Sequence, residues 1–91
     1  MKTYIIERSI PGVGSLGPDE LKAAAAKSNA ALAKLAPRVQ WVESFVSDDK
    51  TFCVYRAADE AAIREHADIS GFPATKVTPI ARAFDPTAAS T

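Results

Sequence analysis

Apolar residues along the chain switch between two periods, and the switches mark its elements. From Thr3 to Ile10 the chain is β-branched and aromatic, and the Gly- and Pro-dense PGVGSLGP comes next, so a strand and then a loop are expected. Leu21, Ala25, Ser28, Leu32 and Leu35 recur at three-and-four spacing. Pro18 with Asp19 and Glu20 marks the start of that helix and Pro37 closes it, which predicts a helix over Pro18 to Leu35. Val39 to Val46 and Thr51 to Tyr55 are strand-like runs separated by SDDK, a hairpin whose acidic tip reads as a solvated turn. A second helix is expected from near Asp59 and Glu60, with Ala62, Ile63, His66, Ala67 and Ser70 on one stripe and Gly71 as its stop. Val77 and Ile80 lie among prolines, so the last strand belongs at an edge.

The order strand, helix, strand, strand, helix, strand is that of a ferredoxin-like α+β domain, βαββαβ, with two helices on one face of a four-stranded antiparallel sheet. At 91 residues this is one domain, expected over residues 1–82, with residues 83–91 as a flexible C-terminal tail.

A sheet with helices on one face only should alternate apolar and polar. Here one parity of the second strand holds Val42 and Val46 and the other Trp41 and Phe45, so both faces call for cover. A second copy of the chain, sheet against sheet, would supply it, and a homodimer is the expectation. The alternative is a monomer whose aromatics sit near an edge or under the tail. The face of Glu43 depends on the turn: three residues would put it with Cys53, two or four with Val54 and Arg56.

Charge narrows the partners. Eleven basic residues balance eleven acidic ones, with a pI near 6.6, so there is no basic field for nucleic acid or a membrane surface. The start, MKTYIIERSIPG, has neither the apolar core of a signal peptide nor the length of a membrane span. A single cysteine cannot form an intrachain disulfide, consistent with a reducing cytoplasm, the expected location.

Candidate chemistry is sparse. The only histidine, His66, falls on the apolar stripe of the second helix, where it is either a metal or proton-transfer group or a hydrogen-bonded core residue. Glu7 and Glu43 sit in strands among apolar neighbours, where a carboxylate needs a cation or an arginine. Cys53 has no CxxC partner and reads most simply as a small buried hydrophobe. Together, Glu43, Cys53 and His66 offer oxygen, sulfur and nitrogen from three elements. GVGSLG has the spacing GxGxxG, but without a following parallel βαβ unit it does not indicate a dinucleotide site.

Four segments, YIIERSIPG, SNAALAKL, VQWVESFVSDDKTFCVYRA and DEAAIREHADISGFPATKV, resemble a family of small bacterial nickel-binding proteins with a ferredoxin-like fold, catalogued as a domain of unknown function. The similarity runs from Tyr4 to about Val77. It implies a dimer that binds Ni(II), or another divalent metal, through acidic, histidine and cysteine side chains, with Glu43, Cys53 and His66 matching the family pattern by position. On this view the chain is a non-enzymatic nickel-binding protein of sequestration or homeostasis, with Glu7 a further residue touching the metal. Two other functions remain open. One is a small enzyme of the dimeric α+β barrel type, with His66 as general base and Trp41 and Tyr55 shaping a pocket. The other is a ligand-free dimeric interaction module.

Overall fold

A computed structural model describes residues 1–90. The elements come in the expected order: β1 (Lys2–Ser9), a 3-10 turn at Val13–Ser15, α1 (Pro18–Leu35), β2 (Val39–Val46), β3 (Lys50–Ala57), α2 (Glu60–Ser70) and β4 (Lys76–Ile80). The strands form one antiparallel sheet in the order β2-β3-β1-β4, so β1 and β3 are central and β2 and β4 are edges. Both helices lie on one face. Pro86–Ser90 form an exposed 3-10 turn, and Thr91, the last residue of the expected tail, lies outside the described residues.

Local chemistry accounts for the ends of the helices. Pro18 opens α1 where a missing N–H costs nothing, and Asp19 and Glu20 complement the helix dipole. In α2 the Asp59 carboxylate accepts from Ala62 N at 2.9 Å, and Gly71, at φ 78°, closes the helix in the left-handed region.

Alternate residues of the central strands, Tyr4, Ile6 and Arg8 on β1 with Thr51, Cys53, Tyr55 and Ala57 on β3, are buried beneath the helices. Leu35, Val39, Ala62 and Ile63 complete the core from the other elements. The opposite face, carrying Ile5, Glu7, Phe52 and Val54, has no element over it and is only partly shielded.

Two features of the hairpin differ from, or settle, the expectations. Its tip has two residues, Asp48 and Asp49, closed by Ser47 N to Lys50 O at 2.9 Å, so Glu43 pairs with Val54 on the open face. Secondly, the register shifts between Trp41, opposite Tyr55, and Glu43, opposite Val54, which leaves Val42 as the extra residue of a β-bulge. The bulge reverses the parity of the strand beyond it. Trp41 and Phe45, expected on one face, are therefore on opposite faces. Trp41 turns under the helices, and Phe45, 56% exposed, lies opposite Phe52 on the open side.

The last strand is short and holds Pro79 opposite Tyr4, as an edge permits.

Candidate functional site

The side of α1 that faces the sheet changes character along its length. Its C-terminal half presents Ala31, Leu32 and Leu35, which fill the space above the sheet. Its N-terminal half presents Leu21, Ala24, Ala25 and Ser28, and the short side chains stop short of the strands. The gap is a cavity of about 330 Å³, floored by Arg8, Thr51, Cys53 and Tyr55 and walled by Val13, Trp41 and Phe72 among others. Its lining is predominantly apolar, the usual character of a small-molecule site.

A polar chain runs beside this cavity. The Tyr55 hydroxyl lies 3.4 Å from Ser28 Oγ, which lies 3.1 Å from His66 Nε2. Tyr55 stacks on Trp41, with centroids 6.5 Å apart and planes 16° from parallel, and Trp41 Nε1 donates to Ser44 Oγ at 2.9 Å. Arg8 is 3% exposed. Its Nη1 donates to the Pro73 carbonyl at 2.8 Å, whereas its Nη2 has no partner. Its guanidinium lies 5.9 Å from the ring centroids of both Tyr55 and Phe72.

The charge states reflect this setting. Burial pushes the Tyr55 phenol above its ordinary value of 10, more than the Ser28 hydrogen bond and the Arg8 charge pull it down, so it stays protonated. Burial also lowers His66 below 6.5, the positive Arg8 lowers it further, and a hydrogen bond with the Ser28 backbone works the other way. Both residues are therefore neutral at pH 7, and Arg8 holds the only full charge in this cluster.

The residues singled out from the sequence are divided by the sheet. Glu7 and Glu43 are on the open face. Glu7 Oε1 is 3.9 Å from Lys50 Nζ and Oε2 is 4.0 Å from Lys76 Nζ, while Glu43 forms no ion pair or hydrogen bond among the described residues. Cys53 and His66 are buried on the other side; Cys53 Sγ is 3.6 Å from Thr51 Oγ1, and His66 is fully buried with Nδ1 unpartnered. No three His, Cys, Asp or Glu side chains among the described residues gather within reach of one metal ion. One copy of the chain thus does not bring Glu43, Cys53 and His66 together, because strand alternation sends the first outward and the second inward. Trp41 and Tyr55 do line the cavity, but His66 does not.

The model of the SCO4226-like nickel responsive protein family matches residues 4–80. The chain belongs to that family. Among solved structures it resembles SCO4226 from Streptomyces coelicolor A3(2), with a TM-score of 0.75 and 13% identity over 90% of this chain and 99% of that one. At that identity the likeness shows the fold alone. No curated protein matches the chain.

In this SCO4226-like chain the residue that sequence reasoning missed is Arg8. The signal was present: an arginine two residues after Ile6 and four after Tyr4 must share their face, and that face is the buried one.

The lowered His66 value has a measurable sign. In the unfolded chain the imidazole takes up a proton near pH 6.5, but in the fold it resists doing so. Its contribution to stability is therefore present above about pH 6.5 and lost as pH falls from there toward the folded value. Urea midpoints should stay level from pH 8 to 7 and drop as pH falls below about 6.5, and His66→Gln should flatten the drop. Equal slopes in the two proteins would show that His66 is not the titrating group.

No described helix is long and apolar enough to cross a membrane.

Proposed function

We propose that this family member is a non-enzymatic divalent-metal binding protein, with nickel as its ion, and that the metal is bound where two copies meet across the open sheet face. The observation that carries this reading is the unpaired carboxylate of Glu43 on that face, beside exposed Val42 and Phe45. The family's nickel-responsive description supports the choice of ion.

The open face suits a second copy of itself. Ile5, Phe45, Phe52 and Val54 supply apolar area, and acidic Glu7 and Glu43 share the face with basic Lys50, Arg56 and Lys76, so opposite charges can meet across a twofold axis. Docking would desolvate Glu43, and a carboxylate withdrawn from water needs a cation. Nickel accepts carboxylate and imidazole and stands high in the divalent affinity order, so Cu(II) competes for any such donors. With oxygen ligands from Glu43 of each copy, Glu7 and water, the affinity is moderate. Cys53 and His66 serve the core in this arrangement, and their inclusion as ligands would require the helix layer to open.

Protein purified without a polyhistidine tag should bind Ni(II) in calorimetric titration and sediment as a dimer. Glu43→Gln should weaken nickel binding at least about tenfold, because it removes the charge while keeping the shape. Unchanged nickel affinity in that variant, or a monomer that binds none, would refute the proposal. A cytoplasmic location belongs to the same reading, as the compartment where such a protein would meet and buffer the ion.

A further inference from the structure

We propose that the cavity between α1 and the sheet is a binding site for a small organic carboxylate with an apolar body, its anionic head on Arg8 and its tail beneath α1. This site is independent of the nickel reading, since the two lie on opposite sides of the sheet.

Three observations carry it. The first is a buried cation with no counter-anion, met by the Pro73 carbonyl and the faces of Tyr55 and Phe72. Arg8 is 3% exposed, no carboxylate lies within 4 Å of it among the described residues, and Nη2 has no hydrogen-bond acceptor. An unpaired guanidinium in such surroundings is costly, and an arginine is normally buried with an anion. Nη1 is occupied by the Pro73 carbonyl, which fixes the side chain and leaves the other nitrogen with an N–H to offer.

The second is space in the right place. The cavity has a volume of about 330 Å³, and Arg8 forms part of its wall. An apolar cavity of about 150 Å³ accommodates one benzene ring, so this one suits roughly a dozen non-hydrogen atoms. An aryl-acetate or a medium-chain fatty acid has that size.

The third is the remaining lining. Val13, Leu21, Ala24, Ala25, Trp41 and Phe72 surround the rest of the space, and an apolar ligand body would displace water from them. The neighbouring titratable groups Tyr55 and His66 provide no competing negative charge at neutral pH: Tyr55 is held protonated and His66 neutral by burial. Neutral or cationic ligands would leave the Arg8 charge unmet, so the site selects for a single negative charge.

The test uses phenylacetate and octanoate against their uncharged counterparts, phenylacetamide and octanamide, read by Trp41 fluorescence and by titration calorimetry on the whole chain. Both carboxylates should bind, at least about tenfold tighter than the amides. Arg8→Met should abolish the difference between acid and amide while the protein stays folded, because a buried unpaired charge is exchanged for an apolar chain of similar length. Ala25→Leu leaves Arg8 in place but fills the cavity, and should remove binding of acid and amide alike. No binding of either carboxylate at 10 mM (about the highest useful concentration for such small ligands), equal affinity for acid and amide, or unaltered binding in Ala25→Leu would each overturn the proposal.

Discussion

Ile63→Ala lowers the stability of the fold by about 2–5 kcal/mol, the range for truncating a fully buried isoleucine. The reason lies in how little apolar surface α2 offers the sheet. Its buried residues are Ala62, Ile63, His66 and Ser70, so Ile63 is the only large aliphatic side chain among them. Removing it leaves a void bounded by β-strands, which do not collapse inward easily, and beside His66, which gains no partner from the change. For a domain of this size a loss of about 3 kcal/mol shifts the melting temperature down by roughly 12–24 °C. Thermal scans by circular dichroism would register it, with Ile69→Ala as the control, since Ile69 on the same helix is 39% exposed. A shift no larger than the control's would mean that α2 is held mainly by other contacts.

The second large effect is expected at Gly14. This residue sits in the 3-10 turn after β1 and donates its N–H to the Asp48 carbonyl at 2.9 Å, so the hairpin tip rests directly on it. A β-carbon there would come within 2.8 Å of both Asp48 Cα and Ser47 O. These are backbone atoms, and they cannot rotate away as the end of a side chain would. Gly14→Ala should therefore cost about 1–3 kcal/mol through displacement of the tip. Gly17→Ala is the matched control, because nothing lies within 4 Å of its added carbon. The displaced tip should also loosen the cavity, as Val13 and Val46, the neighbours of this contact, both line it. Chemical denaturation of the two alanine variants, and carboxylate affinity in Gly14→Ala, would separate the stability effect from the effect on the pocket.

Much of the architecture was legible because periodicity and punctuation agreed. Pro18 and Pro37 bracket α1, Asp59 and Gly71 bracket α2, and the prolines near Val77 placed β4 at an edge. Each of these residues acts through its own backbone, which is why sequence alone reveals it. The faces of β2 were not legible. A bulge at Val42 depends on how Trp41 and Glu43 pair with the neighbouring strand, and no residue type announces it. With the parity reversed there, Trp41 stacks on Tyr55 beneath the helices and Phe45 is turned outward. The cavity was hidden for a related reason. AAAA in α1 reads as helix-forming sequence, and only the strands opposite show that Ala24 and Ala25 leave room there. Glu43, Cys53 and His66 were linked by adjacency of elements, which does not tell which side of a sheet a side chain takes.

Both borders of the sheet resist the addition of another strand, each by a different device. On β4, Pro79 has no amide hydrogen, so an incoming strand would meet a missing donor at the next-to-last position of that border. On β2, the extra residue at Val42 breaks the even spacing that a new neighbour would have to match. Lateral growth into ribbons or fibrils is thereby obstructed on either flank, despite the bare phenylalanines, and crowding should drive this chain toward closed, finite assemblies.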